Sequence, residues 1–125
     1  MIRKIDHLVL TTANLARCRA FYEAFGFSFV EKDSRYELRG PDFKINVHLA
    51  GQELTPHAAR PFPGSVDICF ETAVPLSEIR KIADARGFEY VLREARKAGF
   101  RGPMDSVYLR DPDGNLVEFC SYPDH

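Results

Sequence analysis

The spacing of apolar residues predicts two copies of one order of elements, strand–helix–strand–strand–strand. In the first half, apolar residues at helical spacing between Asn14 and Gly26 predict a helix, with Asn14 as its N-cap and Gly26 directly after its end. Short alternating runs predict four strands around this helix. Their expected ranges are 5–12 before the helix and 28–32, 35–39 and 43–49 after it.

The second half repeats the pattern. Leu76, Ile79 and Ile82 lie at helical spacing, and Gly87 follows them, which predicts a helix over 75–86. The expected strands are 66–72 before it and 88–93, 106–109 and 116–122 after it.

A proline-rich stretch that includes Pro56, Pro61 and Pro63 separates the two halves. We expect one domain over residues 1–125, with a first module at about 1–50, a linker at about 51–64 and a second module at about 65–125. A module of this size buries too little apolar surface to fold alone, so the two modules must share a core, within one chain or across a homodimer.

Polar side chains are expected on one face of each predicted sheet. On a strand, every second residue points to the same side. His7 therefore shares a side with Val9 and Thr11, while the opposite side carries apolar residues that a helix would cover. The other polar-face sets are Asn46 with His48, Asp67 with Cys69 and Glu71, and Glu118 with Cys120. This arrangement favours a ligand cavity inside a curved sheet.

Four of these side chains also fall on an internal repeat. The segment that begins at His7 aligns with the one that begins at Asp67, and the segment around His48 aligns with the one around Glu118, with offsets of 60 and 70 residues. All four lie in otherwise apolar runs, where a charged or imidazole group costs free energy unless it finds a partner. A shared divalent metal would be such a partner, because two imidazoles and two carboxylates suit a first-row ion.

Composition narrows the function classes. The formal net charge is −1 and the isoelectric point is near 6.4, so no electrostatic footprint for nucleic acid is present. No apolar run approaches the roughly 20 residues that span a membrane, and the N-terminus leads into a strand without the apolar region of a signal peptide. The three cysteines form no close-spaced pair. We expect a cytoplasmic protein that contacts neither nucleic acid nor membrane.

These residues resemble a known family. The run Asp-Pro-Asp-Gly-Asn-Leu-Val-Glu at 111–118, the opening Ile-Asp-His-Leu-Val-Leu at 5–10 and the βαβββ repeat are similar to the vicinal oxygen chelate superfamily, which includes glyoxalase I, extradiol dioxygenases and bleomycin-binding proteins. The segments 44–48 and 61–67 most resemble small glyoxalase-domain members sometimes called virulence proteins. The resemblance implies an α+β fold, in which two βαβββ modules form a curved, barrel-like mixed sheet around a metal-binding cavity.

The resemblance also implies the site. Family members take metal ligands from the first, fourth, fifth and eighth strands, which here offer His7, His48, Asp67 and Glu118. Glyoxalase I usually has a carboxylate on the fourth strand and a histidine on the fifth, so this chain exchanges the two residue types. Asp67 could alternatively hydrogen-bond to neighbouring backbone. The expected metal is one divalent ion per site, namely Ni²⁺, Mn²⁺, Fe²⁺, Co²⁺ or Zn²⁺.

Three further residues are candidate substrate contacts. The family would place Tyr108 in the cavity, and Cys69 is expected to line it. Arg101 lies in a glycine-bearing stretch at 98–103, which predicts a mobile loop that carries a positive charge toward an anionic substrate. A solvated loop arginine is the alternative.

The leading functional hypothesis is a metal-dependent, glyoxalase I-like lyase or isomerase. A small substrate would be chelated through two neighbouring oxygens, with Glu118 or Asp67 as the catalytic base. One alternative is a non-haem Fe(II) dioxygenase that uses His7, His48 and Glu118. Another is a metal-free small-molecule binding or resistance protein, which the retained ligand set disfavours. A homodimer with two equivalent sites fits any of these hypotheses.

Overall fold

The computed structural model of the chain describes residues 1–123. Its elements follow the predicted order, and only their bounds differ. They are β1 (His7–Thr12), α1 (Leu15–Ala24), β2 (Ser28–Lys32), β3 (Arg35–Arg39), β4 (Lys44–Leu49), β5 (Asp67–Glu71), α2 (Leu76–Arg86), β6 (Tyr90–Gly99), β7 (Gly102–Arg110) and β8 (Leu116–Ser121). The α+β class and the βαβββ repeat are therefore confirmed.

The chain divides into two compact units, Met1–Ser65 and a second unit that begins at Val66. The first unit includes most of the predicted linker. Each unit contains one four-stranded mixed sheet, with strand order β1-β4-β3-β2 in the first and β5-β8-β7-β6 in the second. The outer strand β1 is parallel to β4, and β5 is parallel to β8. The expected continuous, barrel-like sheet is wrong for residues 1–123, because β1 and β5 are each an edge strand of a separate sheet.

In the first unit, the core lies between α1 and one face of its sheet. Asn14 caps the helix as predicted, since its Oδ1 accepts a hydrogen bond from the Arg17 backbone N–H at 3.1 Å. Burying one large apolar side chain contributes about 1.5–3 kcal/mol. The helix buries Cys18, Phe21 and Tyr22, and the sheet buries Leu10, Leu38, Ile45 and Val47.

In the second unit, α2 buries Ile79 and Ala83 and contacts β7 and β8. The sheet buries Val107, Leu109, Val117 and Phe119. Gly87 ends the helix in the left-handed region, with φ of 68°, as the sequence predicted. No helix within residues 1–123 combines the length and the apolar character that crossing a membrane requires.

The turn before β8 is held by its own side chains. Asp111 Oδ1 accepts hydrogen bonds from the backbone N–H groups of Asp113 and Asn115. Asn115, which is 1% exposed, donates its side-chain amide to Asp111 Oδ2 and accepts from the Val66 backbone N–H at 2.9 Å. This network fixes where β8 starts relative to β5, and therefore where Glu118 is placed.

The hairpin of β6 and β7 is the largest departure from the predicted elements. β6 extends to Gly99 and β7 begins at Gly102, which leaves only Phe100 and Arg101 at the tip. The predicted mobile loop at 98–103 is therefore wrong. Most side chains of β6 are exposed, so the strand shows no apolar alternation by which the sequence could reveal its length.

An ion pair joins α2 to this hairpin. Both terminal nitrogens of Arg93 donate to the Asp84 carboxylate at 2.8 Å, and the Tyr90 hydroxyl donates to Asp84 at 2.9 Å. The hydrogen bonds from Arg93, and then that from Tyr90, lower the pKa of Asp84 to about 2. Asp84 is 48% exposed, so solvent and salt screen much of this interaction.

The Asp84→Asn substitution should destabilise the protein in a pH-dependent way. The folded-state pKa of Asp84 lies below its ordinary value of 3.8, so its contribution is full above about pH 4 and disappears as the pH falls through 2. We expect the difference in unfolding free energy between the wild type and Asp84→Asn to be constant from pH 7 to about pH 5 and to vanish near pH 2. Urea denaturation at several pH values measures it, with the exposed Asp42→Asn as control. A pH-independent difference would contradict the ionic origin.

Candidate functional site

The candidate site in the second unit is built around Glu118, on the central strand β8. Cys69 of β5 and Tyr108 of β7 lie opposite Glu118 in the sheet register. The three side chains therefore form one row across one face of the sheet. Glu118 is buried, with 8% of its surface exposed, whereas Cys69 is exposed.

Neutral groups hold the Glu118 carboxylate. The Ser106 hydroxyl, which is 1% exposed, donates to Glu118 Oε2 at 2.5 Å. Tyr108 also donates a hydrogen bond to Glu118, and burial together with this bond raises the pKa of Tyr108 to about 12. Tyr108 is therefore a protonated donor at physiological pH.

No cation pairs with Glu118 within residues 1–123, although seven other ion pairs are present there. A buried carboxylate is costly when only neutral donors compensate its charge. This donor set fits a divalent cation, which would supply the missing positive charge.

The thiols beside Glu118 are unreactive. Cys69 shares hydrogen bonds with Cys120 and with Glu118, and burial is the main cause that raises the pKa of both thiols. A thiol that stays protonated is a poor nucleophile. The prediction that Cys69 lies beside Glu118 agrees with the register, and its chemical role stays a prediction.

Asp67 lies at the start of β5, exposed, and opposite Leu116. It shares a face with Glu118 and is displaced from it by two residues along the strands. That displacement amounts to roughly 7 Å along the strand direction.

His7 opens β1 in the first unit. Its Nδ1 is 2.8 Å from Asp6 Oδ1, and this hydrogen bond lowers the pKa of Asp6. Histidines that ligate metals generally donate their second ring nitrogen to a carboxylate or carbonyl group. His7 has this arrangement, with Nε2 as the nitrogen that could face an ion.

His48 lies further along the sheet than the internal repeat predicted. His7 lies opposite Lys44, and Asp67 lies opposite Leu116, so the true offset between β4 and β8 is 72 residues rather than 70. Asn46, not His48, therefore occupies the position that corresponds to Glu118. The predicted equivalence of His48 and Glu118 is wrong, because a two-residue slip along a strand preserves the face and leaves the alternation unchanged.

Arg101 is bound to a carboxylate of the chain itself. Its guanidinium makes two hydrogen bonds with Glu71, at 3.0 and 2.9 Å, and lies over the Tyr122 ring at 4.1 Å. The bond to Glu71 is the main cause that raises the pKa of Arg101. An added Cβ at Gly99 would overlap the Tyr122 hydroxyl, so the hairpin is closely packed at this point.

A cavity of about 570 Å³ lies elsewhere in the second unit, and its volume is in the range of small-molecule sites. It is lined by the start of α2 and by the hairpin strands, with Arg80, Arg96 and Asp105 among its polar groups. Its lining does not include Tyr108 or Glu118. The expected substrate cavity around these two residues is therefore not formed by the second unit alone.

The four predicted metal ligands are divided between the units. His7 and His48 belong to the first, and Asp67 and Glu118 to the second. Within residues 1–123, no three His, Cys, Asp or Glu side chains are close enough together to hold a metal ion. The predictions from sequence also missed Ser106 and Asn46. Strand alternation alone would have placed Ser106 on the face of Tyr108.

Comparisons with known proteins agree with the fold. A family model described as the Glyoxalase/Bleomycin resistance protein/Dioxygenase superfamily matches residues 4–119. Virulence protein STM3117 of Salmonella typhimurium is 40% identical over 124 residues, which is 98% of this chain and 86% of that protein. Its crystal structure superposes with a TM-score of 0.92 and covers 98% of both chains.

Two other proteins extend this comparison. The glyoxalase domain-containing protein RDO1 of Mycosarcoma maydis is 37% identical over 124 residues, 98% of this chain and 70% of that protein. Lactoylglutathione lyase of Agrobacterium tumefaciens is 21% identical, with a TM-score of 0.73 over 97% of this chain and 95% of that one. At this identity, the likeness shows a shared fold.

The Ser106→Ala substitution should destabilise the protein because it removes a donor from a buried carboxylate. An unmet buried group costs about 1–3 kcal/mol, and we expect a loss of unfolding free energy in this range by urea denaturation at pH 7. Ser106→Thr keeps the hydroxyl and should recover part of the loss. Ser121→Ala is the control on the neighbouring strand. Equal stability of Ser106→Ala and Ser121→Ala would contradict the importance of this bond.

Proposed function

The chain belongs to the glyoxalase/bleomycin resistance protein/dioxygenase superfamily, and from this starting point we propose that it is a metal-dependent lyase or isomerase of the glyoxalase I type. Its substrate would be a small molecule that presents two neighbouring oxygens. The observation that carries the proposal is Glu118, a buried carboxylate that has two hydroxyl donors and no cation within residues 1–123.

The proposed metal ligands are His7, Asp67 and Glu118, together with one residue of β4, for which the sequence offered His48. Supporting this set, Asp6 orients the His7 ring, and Ser106 orients the Glu118 carboxylate. When bound, a divalent metal would polarise a substrate carbonyl and stabilise negative charge on its oxygen.

The chain's own residues would move the proton. A carboxylate, Glu118 or Asp67, would accept a proton from the carbon beside the carbonyl and return it to the neighbouring carbon. Ser106 and Tyr108 would keep the Glu118 carboxylate in one orientation, so that little reorganisation is needed in the reaction. Tyr108, which is protonated at physiological pH, is also able to donate to a substrate oxygen.

The remaining proposed contacts are Cys69 and Arg101. Cys69 is next to Glu118 in the register and would contribute a neutral surface. Arg101 would need to exchange Glu71 for an anionic group of the substrate, because Glu71 holds both terminal nitrogens of its guanidinium. A homodimer remains part of the proposal.

The dioxygenase alternative rests on His7 and His48 as ligands of one Fe(II) ion. These residues are displaced by four residues along β1 and β4, which weighs against the alternative. Binding without a metal is an outcome of the experiment that follows.

The Glu118→Gln substitution should abolish metal binding and catalysis without unfolding the protein, because the amide keeps the shape and the acceptor for Ser106 but loses the charge. We expect about one transition-metal ion per wild-type chain by inductively coupled plasma mass spectrometry, after reconstitution with Ni²⁺, Mn²⁺, Fe²⁺, Co²⁺ or Zn²⁺. In Glu118→Gln, calorimetric affinity should fall at least about tenfold, the size of effect expected when a metal site is perturbed.

The exposed Glu89→Gln serves as the matched control and should bind like the wild type. Wild-type protein that takes up no metal under any of these conditions would overturn the proposal and favour a metal-free binding protein. Equal affinity of Glu118→Gln and the wild type would remove Glu118 from the site.

A further inference from the structure

We propose that Asn46, rather than His48, is the β4 residue that binds the metal with His7. This inference rests on the proposed function and refines its ligand set. It gives the site a single imidazole, with oxygen from Asn46, Asp67 and Glu118.

The first argument is the sheet register of the first unit. Asn46 lies opposite Val9, two residues beyond His7, while His48 lies opposite Thr11, four residues beyond His7. At a rise of roughly 3.3 Å per residue, these displacements are about 7 and 13 Å along the strands. Side chains of a sheet stand roughly perpendicular to it, so His7 and His48 are poorly placed to meet at one ion.

The second argument is the equivalence of the two units. Glu118 lies opposite Cys69, two residues beyond Asp67. The displacement from His7 to Asn46 is therefore the same as that from Asp67 to Glu118. If Asp67 and Glu118 share an ion, the same geometry in the first unit selects His7 and Asn46.

The third argument concerns the second nitrogen of each imidazole. His7 Nδ1 is hydrogen-bonded to Asp6, the arrangement typical of a ligating histidine. His48 Nδ1 is buried and has no hydrogen-bond partner within the described residues. It therefore lacks the carboxylate or carbonyl that would orient His48 toward a metal.

Asn46 is available for this role, and its strand neighbour is not. Its side chain is half-buried and makes no hydrogen bond within residues 1–123. Glu37 lies opposite Asn46 on β3, but Lys44 and Arg39 hold its carboxylate at 2.6 and 2.9 Å. The hydrogen bond from Lys44 is the largest cause that lowers the pKa of Glu37. Glu37 is thus committed to two cations.

The chemical consequence is a preference among metals. Oxygen ligands suit harder ions such as Mn²⁺, whereas added imidazole favours Zn²⁺ and other later ions. We expect Asn46→His to raise the ratio of Zn²⁺ to Mn²⁺ affinity relative to the wild type. Asn46→Asp adds a carboxylate where the second unit has one, and should tighten Mn²⁺ binding.

The experiment compares Mn²⁺ dissociation constants of the wild type, Asn46→Ala and His48→Ala, measured by electron paramagnetic resonance, with circular dichroism as the check on folding. We expect Asn46→Ala to weaken binding at least tenfold, His48→Ala less than threefold, and Asn46→Asp to bind at least as tightly as the wild type. A tenfold loss in His48→Ala, or no loss in Asn46→Ala, would overturn the assignment while leaving a metal enzyme in place. A wild type that does not bind Mn²⁺ or the other four ions would overturn the proposed function itself.

Discussion

The burial of one carboxylate without a cation is the constraint on which the functional account depends. Glu118 lies on the central strand β8, between parallel β5 and antiparallel β7, and this position removes it from water. The hydroxyls of Ser106 and Tyr108 satisfy its hydrogen bonding but not its charge. The Asp111–Asn115 network sets the start of the same strand. The turn before β8 is thus part of the functional design as well as of the fold.

The two units use one plan with different chemistry. In both, an edge strand runs parallel to a central strand, and a polar residue of the central strand lies two positions beyond a polar residue of the edge strand. The second unit supplies carboxylates and hydroxyls, and the first supplies an imidazole, an amide and the Glu37 ion-pair cluster. Duplication followed by divergence of side chains would produce this pattern. The wider register offset in the second half, 72 residues at β8 against 60 at β5, reflects its longer β6–β7 hairpin.

Much of the fold could be predicted from the sequence because the apolar pattern of both halves is local. The predicted strands 28–32 and 35–39 agree with β2 and β3, and Asn14 caps α1 as expected. The β6–β7 hairpin could not be predicted, since its charged residues show no buried face. The slip from Asn46 to His48 was also hidden, because both residues lie on the same face of β4. Only backbone pairing between β1 and β4 distinguishes them. Similarly, the bond between Arg101 and Glu71 joins residues thirty positions apart and has no signature in the local pattern.

The most direct test of the central claim is a crystal structure of the protein grown with Mn²⁺, with anomalous diffraction data collected near the manganese absorption edge. The account predicts an anomalous peak within bonding distance of a Glu118 carboxylate oxygen, with the Ser106 hydroxyl still bound to the same side chain. A map in which manganese is absent from Glu118, while that carboxylate contacts only Ser106 and Tyr108, would contradict the claim that its burial serves a metal ion.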